Sequence, residues 1–334
     1  MKTICLIAGD GIGAEVIPQA RRVLDALDLD AHFSNADAGW ATFQSTGNAL
    51  PAATLAAVRS ADATLFGAVS SPSERVAGYC SPIVGLRRAL DLYACVRPVV
   101  SPPLAGSRPA VDLVVVRENT EGLYSGLETS DGERATAQRV ITRTASERIV
   151  RWALHYAQHH GRKRITVVHK ANVLRETCGL FREAALRVLA DADGIAVDEM
   201  LVDNAAYQLA RNPERFDIIV TTNLFGDILS DVASVWGGGL GLAASANYGP
   251  RHAIFEPVHG SAPDIVGRNC ANPLATFGAA VLLLRHIGET TRAAILQTAI
   301  TTVLRDGPHT PDLGGSATTT ELTDACIRQV KIKA

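Results

Sequence analysis

Two aspartates, Asp227 and Asp231, stand four residues apart in the otherwise apolar stretch TTNLFGDILSDVAS, residues 221–234. On a helix that spacing places both carboxylates on one face. Like charges stacked there repel unless water or a cation lies between them. A divalent cation such as Mg2+ or Mn2+, which takes carboxylate, water and substrate oxygens, is one physical reason to keep them together. Electrostatic support of a helix N-terminus is another. Spacing alone leaves both readings open.

Arginines are the second signal. Arg87 and Arg88 lie in SPIVGLRRALDLYACVRP, which closes on Arg97-Pro98, and Arg117 follows the apolar run of VVVRENTEGLY. A guanidinium at a strand or helix end suits bidentate capture of a carboxylate. Any one of them also fits a plain surface residue, but several in a chain with a carboxylate pair point to a polycarboxylate substrate. Lys170, after the apolar residues of VVHKANVL, is a candidate for acid–base work, because burial at a strand end lowers an ammonium pKa. Tyr124 is a candidate proton donor or an ordinary hydrogen-bonded tyrosine. Asp203, in LVDNAAYQL, is a third candidate carboxylate.

The stretch AGDGIGAE, residues 8–15, carries Gly9, Gly11 and Ala14 in the G-x-G-x-x-G/A pattern of a dinucleotide-binding turn. Asp28, Asp30 and Asp37 are candidates for the acidic residue expected about 20 positions further on. Against this, Asp10 inside the turn places a carboxylate close to any pyrophosphate. The other reading is a tight turn joining a strand to a helix.

These residues need elements to position them. Residues 4–8, 63–68, 113–117, 165–169, 196–201 and 216–221 read as short buried strands. Residues 14–27, 53–59, 145–159, 181–190, 223–236 and 274–287 read as helices. The alternation predicts an α/β fold with a largely parallel sheet. After residue 273 the pattern is helical throughout (274–287, 289–305, 318–331), so these helices must cover a sheet made elsewhere in the chain. The expected organisation is a discontinuous large, coenzyme-binding domain (1–98 plus 239–334) and a smaller inserted domain (99–238) holding the metal residues and a dimer interface. The Pro/Gly-rich stretches 98–109 and 237–241 are the expected crossovers.

Composition narrows the class. The 334 residues are 47% hydrophobic and 20% charged, with a net charge of −2, as in an ordinary globular enzyme. No basic patch suggests nucleic acid or an anionic membrane as partner. Asp10 interrupts the first apolar run, so no signal peptide is expected, and no run approaches a membrane span. The cysteines at 5, 80, 95, 178, 270 and 326 form no C-x-x-C pair, which favours a reducing cytoplasm over a disulfide framework or zinc site.

Taken together, GDGIGAEV (9–16), LRRALDLYACVRP (86–98), RENTEGLY (117–124), HKANVL (169–174), VDNAAYQL (202–209), TTNLFGDILSD (221–231), EPVHGSAPDIVG (256–267) and TPDLGG (310–315) resemble the metal-dependent β-decarboxylating dehydrogenases that act on isocitrate, 3-isopropylmalate and homoisocitrate. The resemblance runs in order over nearly the whole chain. It implies the fold of that family, which is not a Rossmann fold, and makes GDGIG a strand-to-helix turn. It implies that the coenzyme loop is HGSAPDIVGRNCANP, with His259, Gly260, Ser261, Ala262, Asp264, Ile265 and Asn272 as coenzyme-binding residues. Arg87, Arg97, Arg117 and Asn172 would bind substrate, with Ser81, Ile83 and Val84 beside its C3 substituent. Asp227 and Asp231 would hold Mg2+ or Mn2+, joined by Asp203 of a partner subunit. Lys170, also from the partner, would help remove the hydroxyl proton, and Tyr124 would protonate the enolate. A site shared in this way implies a homodimer or a dimer of dimers.

Family members that use NADP carry a lysine followed by a tyrosine where this chain has Asp264-Ile265, so the resemblance implies NAD. Isocitrate members typically show S-x-N-x-x-L-R before the first arginine, and isopropylmalate members E-x-G-L-L-x-L-R. Here Ser81 matches the first pattern, Ile83 replaces its Asn, and Cys80 stands where the glutamate would be. SPIV-x-LRR is most similar to the homoisocitrate branch, although some bacterial members have an arginine where this chain has Val84. The expected reaction is NAD-dependent oxidative decarboxylation of homoisocitrate. Isocitrate, or use of both, is the alternative, followed by 3-isopropylmalate and tartrate or malate. A regulatory subunit lacking catalysis is disfavoured by the presence of every residue to which the resemblance gives a catalytic role.

Overall fold

The structure, a computed structural model, describes residues 1–74 and 76–333. Two compact units are present: unit 1 is Met1–Leu90, Pro102–Ser107 and Gly238–Ala334, and unit 2 is Asp91–Ser101 and Arg108–Gly237. Unit 1 begins with β1 (Lys2–Gly9), α1 (Gly13–Ala26), β2 (Ala31–Asn35), α2 (Trp40–Thr46), α3 (Ala52–Ser60), β3 (Ala63–Ala68) and α4 (Pro82–Ala89). Unit 2 contributes β4 (Ala94–Val100), β5 (Asp112–Glu118), the hairpin β6 (Glu128–Ser130) and β7 (Ala135–Ala137), and α5 (Arg143–His159). It continues with β8 (Arg164–His169), α6 (Thr177–Leu189), β9 (Ala196–Leu201), α7 (Val202–Arg211), β10 (Ile218–Thr221) and α8 (Asn223–Ser234). Back in unit 1 follow β11 (Ala244–Tyr248), β12 (Ala253–Pro257), α9 (Leu274–His286), α10 (Thr290–Asp306) and α11 (Thr319–Lys333).

In unit 1 the strands lie in the order β2-β1-β3-β12-β11, parallel except for the β11–β12 pair. In unit 2 they lie in the order β4-β5-β10-β8-β9, parallel except for β4–β5. The parallel strands are runs such as Leu113–Val116 and Ile165–Val168, buried on both faces, which is why they read as continuous apolar segments rather than alternating ones. The apolar face of α1 (Ile17, Ala20, Val23, Leu24) packs with Leu6, Leu65 and Phe255, and α9–α11 add Phe277, Leu284, Leu296 and Leu322 to the same core. Each fully buried Leu or Phe contributes about 1.5–3 kcal/mol.

The first crossover falls earlier than the expected 98/99 boundary. β4 pairs with β5 from Ala94↔Glu118 to Val100↔Asp112, so the segment bearing Arg97 belongs to unit 2. The chain then returns to unit 1 for Pro102–Ser107 alone. All six cysteines are free, and no helix among the described residues is long and apolar enough to cross a membrane.

Candidate active site

Asp227 and Asp231 both lie on α8, as their spacing requires, but the first turn of that helix holds no acidic residue. Asp231 sits in the last turn, where a negative charge opposes the dipole, so support of the helix N-terminus is not their role. Two arginines face them. Arg97 Nη1, on β4, lies 3.4 Å from Asp227 and 3.3 Å from Asp231, and donates to Ser230 Oγ at 2.6 Å. Arg117, at the end of β5 and only 1% exposed, donates from Nη1 to Asp227 Oδ1. Its Nε and Nη2 both donate to Asn223 Oδ1, at 3.0 and 2.7 Å. The β4–β5 register sets Cys95 opposite Arg117 and Arg97 opposite Val115, which puts the two arginines on one face two residues apart.

This cluster fits a divalent cation. Burial pushes the Asp231 carboxyl above the usual carboxylate range; Arg97 opposes that rise and the neighbouring Asp227 adds to it. The side chain of Asp231 is 56% exposed, and its Oδ2 has no hydrogen bond among the described residues. The donor set is hard oxygen, suited to Mg2+ or Mn2+. The formal charges of Arg97, Arg117, Asp227 and Asp231 cancel, so a polycarboxylate needs further positive charge to be held there.

Tyr124, in a short 3-10 turn at Leu123–Ser125, donates its hydroxyl to Asp227 Oδ2 at 2.5 Å, with the Arg117 guanidinium 4.9 Å from its ring centroid. Burial first, and that hydrogen bond to Asp227 second, hold its pKa above the ordinary tyrosine value, so the proton stays on Tyr124. Lys170 follows β8 directly and donates to Asp203 Oδ1 at 2.5 Å, which lowers the Asp203 pKa. Asn172 is exposed in the turn that follows. Among the described residues no group of three or more His, Cys, Asp and Glu comes together as a metal site. Asp203 is therefore paired with Lys170 within its own chain rather than gathered with Asp227 and Asp231.

Unit 1 carries the other predicted residues. Ser81 precedes α4, and Ile83 and Val84 lie four and three positions before Arg87, on the same helical face. Arg87 is buried, donating from Nε to Asn247 Oδ1 (3.2 Å) and from Nη2 to Glu256 Oε1 (2.9 Å). The coenzyme loop 259–273 rests on the Gly-rich turn. Ile12 N donates to Ser261 O (3.0 Å), Gly267 N to Glu15 Oε1 (2.6 Å), and Ala262, Ile265 and Ala271 pack on Ile12 and Val16. A Cβ at Gly11 would come within 2.1 Å of Ser261 O, so this glycine is required by protein packing rather than by a phosphate. Asn272 accepts from Leu274 N and donates to Asp312, tying the loop to the turn at Pro311–Leu313. Gly260 and Asp264 are exposed, and Asp264 has no hydrogen bond or ion pair among the described residues. His259 Nδ1 lies 3.0 Å from Gly260 O, while its Nε2 is buried with no partner among the described residues. Burial lowers the ring's pKa and keeps it neutral, leaving Nε2 as an acceptor for a bound coenzyme.

The Asp10 carboxylate is engaged by the fold itself. Its carboxylate is 7% exposed and accepts three backbone N–H groups: Trp40 (2.7 Å), Ala41 (2.9 Å) and Ser70 (2.9 Å). Ser70 Oγ in turn donates to Ser261 Oγ at 2.8 Å. Sequence reasoning passed over this role, and also Asn223, Ser230, Asn247 and Glu256. For Asn223 a signal was present, four residues before Asp227 on the same helical face. For the others the side chains that hold the arginines become visible only with the strand register.

The model of the isocitrate/isopropylmalate dehydrogenase family matches residues 3–326. The isocitrate/homoisocitrate dehydrogenase of Thermus thermophilus is 53% identical over 98% of both chains. The 3-isopropylmalate dehydrogenase of Methanothermobacter thermautotrophicus is 48% identical, again over 98% of both. The crystal structure of isocitrate dehydrogenase from Methylococcus capsulatus superposes with a TM-score of 0.95 at 42% identity, covering 99% of this chain and all of that one. The chain belongs to the isocitrate/isopropylmalate dehydrogenase family and is a decarboxylating hydroxy-acid dehydrogenase.

Proposed function

We propose that the chain catalyses the NAD-dependent oxidative decarboxylation of homoisocitrate to 2-oxoadipate and CO2, with isocitrate as a second substrate and Mg2+ or Mn2+ as cofactor. The observation that carries this reading is α4, where Ser81, Ile83 and Val84 accompany Arg87 and the Asn of the isocitrate pattern is replaced by Ile83. An apolar pair with one hydroxyl suits a longer carboxylate arm, and one methylene in such a pocket is worth about 1–3 kcal/mol of discrimination. The dual name of the Thermus relative supports the same pair of substrates.

Removal of the C2 hydroxyl proton, helped by Lys170 of the partner subunit, and of hydride by the bound coenzyme would leave a 2-oxo acid with a carboxylate at the β position. Loss of CO2 sends the bonding electron pair into an enolate, and C3 then takes a proton. Asp227 and Asp231 would hold a divalent cation, which would supply electrophilic charge for the decarboxylation. Arg97, Arg117 and Arg87 hold substrate carboxylates. Tyr124, which keeps its proton, delivers it to C3. His259 and Asp264 receive the adenosine half of NAD, where a free carboxylate bonds ribose hydroxyls and repels a 2′-phosphate.

A second copy completes the site. Tyr207 on α7, Ile228 on α8 and Val235 just beyond its end are exposed apolar side chains in unit 2, surface of the type that a two-fold dimer interface buries. Lys170 and Asp203 then serve the partner's Tyr124 and carboxylate pair. Mixing inactive Lys170→Ala with inactive Asp227→Asn, followed by subunit exchange, is expected to restore roughly a quarter of the activity, because half of the random dimers carry one intact site. No recovery from subunits that demonstrably exchange would overturn the sharing. The substrate reading is tested by kcat/KM for homoisocitrate, isocitrate, 3-isopropylmalate, tartrate and malate side by side. It fails if homoisocitrate is not among the two best.

A further inference from the structure

Arg87 is held from one side only. Its Nε and Nη2 form one edge of the guanidinium, and that edge is taken by Asn247 Oδ1 and Glu256 Oε1. Asn247 Nδ2 also donates to Glu256 Oε1, at 2.8 Å, closing a triangle of buried polar groups. Strand pairing builds the triangle: Asn247 lies opposite Ile254 in the β11–β12 ladder, so Glu256, two residues on, is its diagonal neighbour on the same face. Among the described residues Nη1 has no hydrogen-bond partner. The end edge of the guanidinium, Nη1 with the second proton of Nη2, is left for a planar two-oxygen acceptor. In unit 2 an asparagine holds the Nε side of Arg117 in the same manner, through Asn223 Oδ1, but there the end edge meets Asp227.

We propose that Glu256, supported by Asn247, is a positioning residue for Arg87, presenting its end edge to a carboxylate of the 2-hydroxy acid. This rests on the reading of Arg87 as a substrate clamp. A long arginine loses rotamer entropy whenever it is fixed, and a guanidinium already pinned along its side edge meets that cost before substrate arrives. The reach of the Glu256 side chain matters more than its charge, because its oxygen must lie within hydrogen-bond distance of both Nη2 and Asn247 Nδ2.

Two substitutions separate reach from charge. Glu256→Gln keeps the length and an accepting Oε1 but removes the charge, whereas Glu256→Asp keeps the charge and withdraws the oxygen by one methylene. With isocitrate and homoisocitrate as probes, Glu256→Gln is expected to stay within about threefold of the unmodified enzyme in KM. Glu256→Asp is expected to raise KM at least about tenfold, the scale of one lost charge-assisted hydrogen bond, with KM for NAD unchanged within about threefold. Thermal denaturation with and without NAD checks that both variants fold. The proposal is overturned if Asp outperforms Gln, if both match the unmodified enzyme, or if KM for NAD rises in parallel. Arg87→Lys, measured alongside, tests the underlying reading. If its KM for the hydroxy acid is unchanged, the clamp itself is wrong; if it is raised while Glu256→Asp is silent, only the positioning role is wrong.

Discussion

Asp10 in unit 1 and Asp231 in unit 2 are both aspartates in recognisable motifs, and their surroundings are opposites. The oxygens of Asp10 are filled by three backbone N–H groups from Trp40, Ala41 and Ser70, in a nearly solvent-free position. Asp231 faces Arg97 at 3.3 Å, has no hydrogen bond to Oδ2 among the described residues, and is pushed toward protonation by burial against the pull of that arginine. The first carboxylate is finished by the fold, and the second waits for something outside it. What distinguishes a structural acid from a ligand-binding one is where its lone pairs are directed, not the residue type or its motif.

The contrast can be broken at several points. The largest effect is expected at the open acid: Asp231→Asn should lower kcat/KM about a hundred- to a thousandfold, as loss of transition-state electrostatics does, while the melting temperature moves little. Near-normal turnover without added metal would remove the cation from the site. Asp10→Asn should do the reverse, because an amide NH2 would be turned toward backbone N–H groups. About 3 kcal/mol of stability in urea denaturation should be lost, with turnover of the folded fraction reduced less than about tenfold. A stable but inactive Asp10→Asn would make Asp10 functional after all.

Asp264 takes openness to its limit, exposed and without a partner among the described residues. Asp264→Lys with Ile265→Tyr should shift preference toward NADP by about 1–2 kcal/mol, roughly 5- to 30-fold in relative kcat/KM, since solvent screens the charge. Equal use of both coenzymes by the unmodified enzyme would sink the NAD reading. The smallest effect is expected at His259, which shows both conditions in one ring. Burial depresses its pKa below 6.5, so stability is full above that value and is lost as pH falls through it, because the unfolded chain takes the proton first. The slope from this group is at most about 1.4 kcal/mol per pH unit. Urea midpoints at pH 7.5 and 5.5 should converge for His259→Gln relative to the unmodified enzyme, and an unchanged pH dependence would place the effect elsewhere.

Much of this was legible in the sequence, for a physical reason. Strands buried on both faces, such as Leu113–Val116 and Ile165–Val168, announce themselves as β-branched runs, and Asp227 and Asp231 share a face by helical arithmetic alone. Besides the edge strand β2 and the exposed hairpin β6–β7, the strands that escaped notice carry polar residues or proline. β4 contains Arg97-Pro98, β11 reads ASANY, and β12 ends Phe255-Glu256-Pro257. Their propensities are weak because binding and positioning residues occupy places that apolar side chains would otherwise fill. Which polar groups then meet depends on register, as with Asn247 and Glu256, or on loops far apart in sequence, as with residues 10, 40 and 70. No local pattern encodes either.

The path of the chain through its two units also bears on how the protein is made. The core of unit 1 joins Ile4 to Val330, so the unit cannot close until nearly the whole chain has left the ribosome. Unit 2, apart from the excursion at Pro102–Ser107, is a single stretch from Asp91 to Gly237 and can condense while α9–α11 are still being synthesised. Until then Leu6, Leu24 and Leu65 lack the helices that cover them. The interval between residue 90 and residue 274 is therefore the window in which a nascent chain exposes an unfinished apolar face. Slowed translation across that window should favour aggregation or chaperone capture of the N-terminal segment over any misfolding of unit 2.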